Sequence, residues 1–422
     1  MHIRWSSVPG WIVGAVLLAV SQASLAVTKA EVAETYADIA LAGYEDSLYT
    51  ARNLSHAVDA LLADPSEANL AAARAAWRAA REPYQQTEAF RFGNPEVDDW
   101  EGKVNAWPLD EGLIDYVAGE YGTENEENPA YTANVIANPR LEIGGRTIDA
   151  TVITPALIES LHELDGVEAN VAGGYHAIEF LLWGQDLNGA GLGAGERPAS
   201  DFDTAECTGG HCDRRGAYLK AAVELLIDDL KDIVAVWDED GVARERILGD
   251  PDAALASMVT GMGSLSYGEL AGDRMKLGLM LHDPEEEHDC FSDNTHWSHY
   301  YNVVGIRNVY TGRYRRIDGR RVNGPSLSDL VAAGDAGADA EVLVRINAAV
   351  LRFAALADKA ESEESYDQLI AEGNTAGNAL VMTAIESLVA QTKAIEGAAM
   401  ALNLGKPMFE GSGSFDNPFA VE

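Results

Sequence analysis

The spacing of apolar residues constrains this chain more than any other feature of its sequence. Between Val32 and Leu62 the apolar residues recur every third or fourth position, which is the period of one face of an α-helix. A second stripe runs from Leu70 through Trp77 to Tyr84, and the next position on it is Glu88. Alternating runs of β-branched residues are scarce. The sequence therefore predicts an all-α fold built from helical bundles.

The breaks in this pattern suggest where the bundles divide. Residues 93–154 are rich in Gly, Pro, Asn and Glu, and are too long for an ordinary loop, so short helices or a functional excursion are expected there. A second break, rich in Gly and Asp, begins at Gly184. We predict an N-terminal helical-bundle domain at 27–190, a linker at 191–213 and a C-terminal helical-bundle domain at 214–422. The helices expected in the second half are 217–237, 251–281, 296–310, 339–360 and 375–402.

A short internal match leaves open a duplication of one four-helix bundle. GIRNVYTG at 305–312 can be laid over AIEFLLWG at 177–184. In that register His176 lies opposite Val304 and Glu179 lies opposite Arg307. If the two halves are duplicates, only the first has kept this pair of polar residues.

The N-terminus predicts export. A basic start is followed by the apolar run WIVGAVLLAV, and Ser24-Leu25-Ala26 provides the small residues that a signal peptidase requires, so we expect cleavage after Ala26. A membrane anchor is the alternative, but the run is shorter than the roughly 20 residues that span a bilayer. We therefore predict a signal peptide at 1–26, no transmembrane segment after its removal, and a periplasmic or outer-membrane-associated location.

The net charge limits the partners. A formal charge of −38 would repel nucleic acid phosphates, whereas it would attract cations or basic proteins. A solvated acidic surface accounts for most of this charge.

Cys207 and Cys212 flank a loop-like Thr-Gly-Gly-His spacer, so in an oxidising compartment we expect them to form a local disulfide. Cys290 is then free, buried, or an alternative partner of either cysteine.

The clearest candidate for chemistry is the pair His176 and Glu179. Their separation of three residues places an imidazole and a carboxylate on one face of a helix, close enough to hold one cation. Helical bundles build iron and manganese sites in this way, with further carboxylates from facing helices. We expect Glu88 as a third ligand and Asp110, in the turn AWPLDEG, as a fourth. A core histidine bonded to a neighbouring carboxylate is the structural alternative.

The segment GYHAIEFLLWG, which contains this pair, resembles the G-x-H-x-x-E element of the imelysin family. The resemblance extends to AWRAAREPYQQTEAFRFG, AWPLDEGLIDY, HCDRRGAYLKAA and DPEEEHDCFSDNTHWSHYYNVVGIRNVYTG, and the last two are most similar to the iron-regulated protein A branch. It implies two helical-bundle domains, a metal site at His176 and Glu179, export, and expression tied to iron. Glu88 and Asp110 match the family pattern less securely.

A second polar cluster is found at 283–299, where Asp283, three Glu residues, His288 and Asp289 precede His296 and His299. It is compatible with a second metal or haem-contacting site. We interpret it instead as helix capping and solvation, with Asn294 or Asp293 as the cap, because acidic residues are favoured before a helix N-terminus.

Three functions remain to be distinguished. A metallopeptidase of the insulin-cleaving type, using zinc with Glu179 as its catalytic residue, is not favoured, because H-E-x-x-H is absent and Phe180 occupies the position of the second His in H-x-x-E-H. A site with one His and several carboxylates suits iron better. We therefore favour iron binding in acquisition or sensing, with a membrane iron-transport or redox protein as partner. A non-catalytic interaction module is the third alternative.

Overall fold

The computed structural model describes residues 26–409, so the predicted signal peptide lies outside the described residues except for Ala26. The described part of the chain is dominated by helices, which confirms the predicted all-α class. Within residues 26–409, none of the helices combines the length and the apolar character that crossing a bilayer would require. The α-helices in chain order are α1 (Lys29–Ala63), α2 (Glu67–Thr87), α3 (Pro95–Asn105), α4 (Pro155–Leu161), α5 (Gly174–Trp183), α6 (Cys212–Trp237), α7 (Val242–Gly249), α8 (Pro251–Ser264), α9 (Leu277–Leu281), α10 (Thr295–Thr311), α11 (Leu327–Gly334), α12 (Ala336–Ser362), α13 (Tyr366–Ile370) and α14 (Thr375–Ala401).

The long helices form where the apolar periodicity predicts them. The N-terminus of α1 has a capping box, in which the Thr28 hydroxyl accepts from the backbone N–H of Glu31 and the Glu31 carboxylate accepts from that of Thr28. The cap of α2 is Ser66, whose side chain accepts the N–H of Asn69. The five helices expected in the second half are all present, and the one expected at 251–281 contains a π-helical segment, Leu265–Lys276, between α8 and α9.

Among the residues that the structure describes, the strands form two small antiparallel hairpins. β1 (Arg140–Ile143) pairs with β2 (Arg146–Asp149), inside the excursion predicted at 93–154, which also contains α3 and two 3₁₀ turns. β3 (Arg313–Arg315) pairs with β4 (Arg321–Asn323) directly after α10. Both hairpins are too short to supply a core of their own, so the helices provide it.

The helices pack in two groups that share a boundary. α1 packs against α2 and α6, whereas α12 packs against α10 and α14, and α14 also contacts the π-helical segment. α2 joins the groups through its contact with α10. Since α6 follows the predicted linker yet packs on α1, one hydrophobic cluster includes residues from both sides of 191–213. The predicted domains at 27–190 and 214–422, and their duplication, stay predictions.

The expected disulfide is present between Cys207 and Cys212, whose α-carbons lie 5.9 Å apart. It closes a short loop immediately before α6. Cys290 is a free thiol, half-buried beside Phe291. The predicted local pairing is therefore confirmed, and the alternative pairings of Cys290 are wrong.

A glycine sets the approach of α10 to α2. A Cβ at Gly305 would lie 2.4 Å from the backbone carbonyl oxygen of Gln86, which is closer than any real side-chain carbon approaches. The two backbones therefore meet directly, and this contact positions the chain before α10 against the inner face of α2.

We predict that Gly305→Ala destabilises the protein by roughly 1–3 kcal/mol, because the added methyl must separate two packed helices. Gly397 in α14 is the matched control, since a Cβ there meets nothing within 4 Å. Gly397→Ala should stabilise the protein by up to about 1 kcal/mol through helix propensity. Urea unfolding of both variants measures the two effects, and equal effects would contradict the close packing.

Candidate metal centre

A glycine with a positive φ begins the helix that carries the first candidate residues. α5 begins at Gly174, whose φ is +78°, and a Cβ there would lie 2.5 Å from the carbonyl oxygen of Val104 at the end of α3. Only glycine adopts this backbone conformation without a steric cost and also leaves room for Val104. His176 and Glu179 follow on the first turns of α5, with 1% and 0% of their surfaces exposed.

His176 and Glu179 contact each other, as their spacing predicts. His176 Nδ1 lies 3.1 Å from Glu179 Oε2. The other oxygen, Oε1, accepts from the backbone N–H of Ser292 at 3.0 Å and from its hydroxyl at 2.6 Å. Burial raises the pKa of Glu179 well above its ordinary value, the charge of Asp289 raises it further, and the bonds from Ser292 oppose both effects. Glu179 is thus held between α5 and the chain before α10.

The partners of this pair come from the acidic cluster before α10. The ring of His288 lies 4.7 Å from that of His176, centroid to centroid. His176, His288 and Asp289 each offer a ligand atom, and these atoms all lie within 4.8 Å of one another. Across residues 26–409 no other set of three or more His, Cys, Asp or Glu side chains converges in this way. All three side chains are buried.

Asp289 is the most extensively bonded member. Its carboxylate accepts from Arg81 of α2 at 2.7 Å, from the Asn294 amide at 2.9 Å and from the Ser298 hydroxyl. Burial alone would raise its pKa, but the Arg81 guanidinium and the other donors lower the pKa to about 2. Asp289 is therefore ionised across the physiological range.

The two imidazoles are neutral. Burial, followed by the charge of Arg81, lowers the pKa of His176 to about 3. Burial also lowers the pKa of His288 well below its ordinary value, and Arg274 is the next cause. His176 Nε2 has no hydrogen-bond partner, although it is buried. Two neutral ring nitrogens beside one carboxylate are a donor set that a divalent metal ion can use.

The structure does not place the other two predicted ligands in this group. Glu88 is buried as its position on the stripe implied, but it pairs with Arg274 at 2.8 Å, and Arg274 also pairs with Glu269 at 2.6 Å. Asp110 lies in the turn AWPLDEG, where its carboxylate accepts a hydrogen bond from the Asn128 amide at 2.6 Å. Neither residue belongs to the group that converges on His176.

The interpretation of residues 283–299 as capping and solvation is wrong for most of the cluster. Asp283 does cap a 3₁₀ turn by accepting the N–H of Glu285 at 3.0 Å. In contrast, Asn294 makes no capping bond to α10, and its amide bonds Asp289. The side chains that fold inward are at most 4% exposed, and they are Glu287, His288, Asp289, His296 and His299. Arg81, which pairs with Asp289, carried no signal in the sequence beyond its place on α2.

The buried histidines make a pH dependence testable. His299 is 0% exposed, and burial lowers its pKa to about 3. In the unfolded chain the same imidazole takes up a proton near pH 6.5, so the unfolded state binds more protons below that pH. The contribution of His299 to stability is therefore complete above pH 6.5 and is lost as the pH falls towards 3.

We predict that His299→Asn removes about 2 kcal/mol of the stability loss that the wild type shows between pH 7 and pH 5. Urea unfolding at both pH values gives the difference. His56, exposed on α1, is the control, and His56→Asn should leave the pH dependence as it is in the wild type. Parallel pH profiles for wild type and His299→Asn would show that folding does not lower the pKa of His299.

Together, the fold and this centre define an all-helical protein with a buried histidine and carboxylate cluster between two groups of packed helices. The model of the Imelysin family matches residues 40–395, and the chain therefore belongs to the imelysin family.

Among curated proteins, iron-regulated protein A of Synechococcus elongatus is 31% identical over 90 residues, which cover 21% of this chain and 25% of the relative. The match thus spans a quarter of that relative's length. Two crystal structures share the fold. A candidate iron-regulated protein A precursor from Parabacteroides distasonis has a TM-score of 0.62 and 19% identity, covering 90% of this chain and 97% of its own. An imelysin-like protein from Psychrobacter arcticum has a TM-score of 0.55 and 14% identity, covering 92% and 99%.

Proposed function

We propose that this protein binds a metal ion, with iron the favoured ion, in iron acquisition or sensing. The observation that carries the proposal is the convergence of His176, His288 and Asp289, whose ligand atoms lie within 4.8 Å of one another in a buried pocket. The name of the Synechococcus elongatus relative supports iron over other ions.

The donors suit this assignment. Neutral imidazoles bind iron, zinc, copper and nickel, and a carboxylate adds preference for a harder ion. Glu179 bonds His176 Nδ1, so we assign it the role of orienting that ring while Nε2 faces the ion. This differs from our sequence-based expectation, in which Glu179 was itself a ligand together with Glu88 and Asp110.

The setting is proposed from the sequence. The predicted signal peptide at 1–26 supports export to the periplasm or the outer membrane, where a formal charge of −38 would draw cations towards the protein. A membrane iron-transport or redox protein remains the proposed partner.

One structural observation supports a metallopeptidase more strongly than the sequence alone does. Two histidines and one acid are the protein ligands of many catalytic zinc sites, and His288 supplies the second histidine that the motif lacks. However, hydrolysis also requires access for a polypeptide and a free base. His176 and Glu179 are at most 1% exposed, and both Glu179 oxygens are already bonded. We therefore rank ion binding above hydrolysis, and above a non-catalytic interaction module, which would have no need of a metal.

We predict that His176→Ala weakens ferrous iron binding by at least about tenfold, because it removes one of three ligands while the helices stay packed. Anaerobic calorimetric titration measures the affinity, and circular dichroism checks the fold. His56→Ala, at an exposed position on α1, is the matched control and should bind as the wild type does.

Equal affinities for His176→Ala and wild type would remove His176 from the centre. Cleavage of a protein substrate by the metal-loaded wild type, lost on chelation and in Glu179→Gln, would establish the peptidase instead. If the protein keeps its activity in the presence of a metal chelator, the interaction module is favoured over both iron binding and hydrolysis.

A further inference from the structure

A cavity of about 270 Å³ lies between α6 and the helices α3 and α4, which both pack on α6. None of the residues that line it belongs to the group formed by His176, His288 and Asp289. It is therefore a separate pocket, which the proposed function does not use. Its ionisable lining residues are Asp99, Lys103, Glu159, His162, Glu163 and Asp229.

Asp229 is the buried acid of this cavity. Only 6% of its surface is exposed, whereas the other three acids and the lysine of the lining are exposed and surround the mouth. Its backbone carbonyl accepts from the Trp100 indole at 2.9 Å, and its backbone N–H lies inside α6, so the carboxylate is the group that it offers to the cavity. Among residues 26–409, no side chain or backbone group donates a hydrogen bond to this carboxylate or forms an ion pair with it.

An unpartnered carboxylate in such a position is unfavourable, because it has lost most of its water and has gained no donor or counterion in exchange. Burial accordingly raises the pKa of Asp229 to about 7. The charge of Lys103 on α3 opposes this effect, whereas those of Glu159 on α4 and of Asp232 and Asp228 on α6 add to it. Asp229 is thus mainly ionised at pH 8 and mainly protonated at pH 6.

The charge of the lining favours a cation as the ligand. Four carboxyl groups line the cavity against one ammonium group, that of Lys103. Burial lowers the pKa of His162, so its imidazole adds no positive charge at neutral pH. Lys103 is exposed, and neither a hydrogen bond nor an ion pair joins it to Asp229. The position beside the Asp229 carboxylate is therefore open to a ligand.

The shape of the cavity favours an organic cation over a metal ion. Within residues 26–409, only the group around His176 brings three ligand atoms within 4.8 Å of one another, so the acids here are too far apart to coordinate one ion together. A volume of 270 Å³ is many times larger than a single ion needs, since a water molecule occupies about 30 Å³ in the liquid. Leu225 adds an apolar wall, and Gly102 and Gly173 place no side chain in the space.

We infer that this cavity binds a small aliphatic diamine. One ammonium group pairs with Asp229, the alkyl chain lies against Leu225, and the second ammonium group reaches the acids at the mouth, Asp99, Glu159 and Glu163. Charge-assisted hydrogen bonds to carboxylates placed apart in this way match two ammonium groups joined by a short chain. This inference goes beyond the proposed function, which requires only the metal centre.

The experiment is a calorimetric titration of the purified protein with 1,4-diaminobutane at pH 8. The wild type should bind one equivalent, and Asp229→Asn should weaken binding by at least about tenfold, because it removes the buried partner of the ammonium group. Asp228→Asn is the matched control. Asp228 is the exposed neighbour of Asp229 on α6 and pairs with Lys231 at 2.8 Å, so its substitution should change the affinity by less than about twofold.

A second variant should change the affinity in the opposite direction. Lys103→Gln removes a positive charge that competes with the ligand, so binding should tighten by roughly two- to fivefold, which a disturbed fold would not produce. Lowering the pH from 8 to 6 should weaken wild-type binding by about tenfold, because Asp229 takes up a proton in this interval. Circular dichroism checks that each variant keeps its helices.

Three outcomes would overturn the inference. They are no binding of 1,4-diaminobutane by the wild type, equal affinities for the wild type and Asp229→Asn, and binding of calcium chloride that depends on Asp229 while the diamine does not bind. His176→Ala should bind the diamine as the wild type does. Failure of the metal centre therefore leaves this inference standing, and failure of the diamine site leaves the proposed function intact.

Discussion

The buried ion pair between Arg81 and Asp289 is the interaction on which the rest of the centre depends. Both side chains are at most 1% exposed, so both charges have left water, and their attraction must offset that desolvation. Arg81 also donates to the Asn105 side chain at 2.6 Å, so one guanidinium joins α2, the end of α3 and the chain before α10. Removing either partner alone would leave a buried charge unpaired, at a cost of about 3–5 kcal/mol.

Burial and this pair together set the protonation of the neighbouring groups. The positive charge of Arg81 keeps Asp289 ionised and disfavours a proton on His176. Burial lowers the pKa of His176, as the charge of Arg81 does, whereas burial raises the pKa of Glu179. The centre therefore offers one negatively charged oxygen and two neutral ring nitrogens at neutral pH. Ion binding in such a pocket competes with few protons.

The sequence predicted what local periodicity encodes and missed what long-range packing decides. The long helices followed from apolar spacing, and His176 and Glu179 met because residues three apart lie on one face of a helix. Glu88 was correctly placed inside, but its partner could not be predicted, because Arg274 reaches it from a segment 186 positions away. Asp289 was assigned to helix capping and solvation because acidic residues are favoured before a helix N-terminus. The buried Arg81, contributed by α2, together with the donors Asn294 and Ser298, makes an inward carboxylate favourable there.

The π-helical segment Leu265–Lys276 determines which of its charged side chains can pair. Each of its turns contains an additional residue, so side chains five positions apart face the same way. Glu269 and Arg274 are such a pair, and they meet at 2.6 Å. In an ordinary α-helix five steps rotate a side chain by about 140°. Regular α-helical winding with the same number of residues would therefore turn Arg274 away from Glu269, whereas deleting one residue between them would leave the pair four positions apart, on one face of an α-helix.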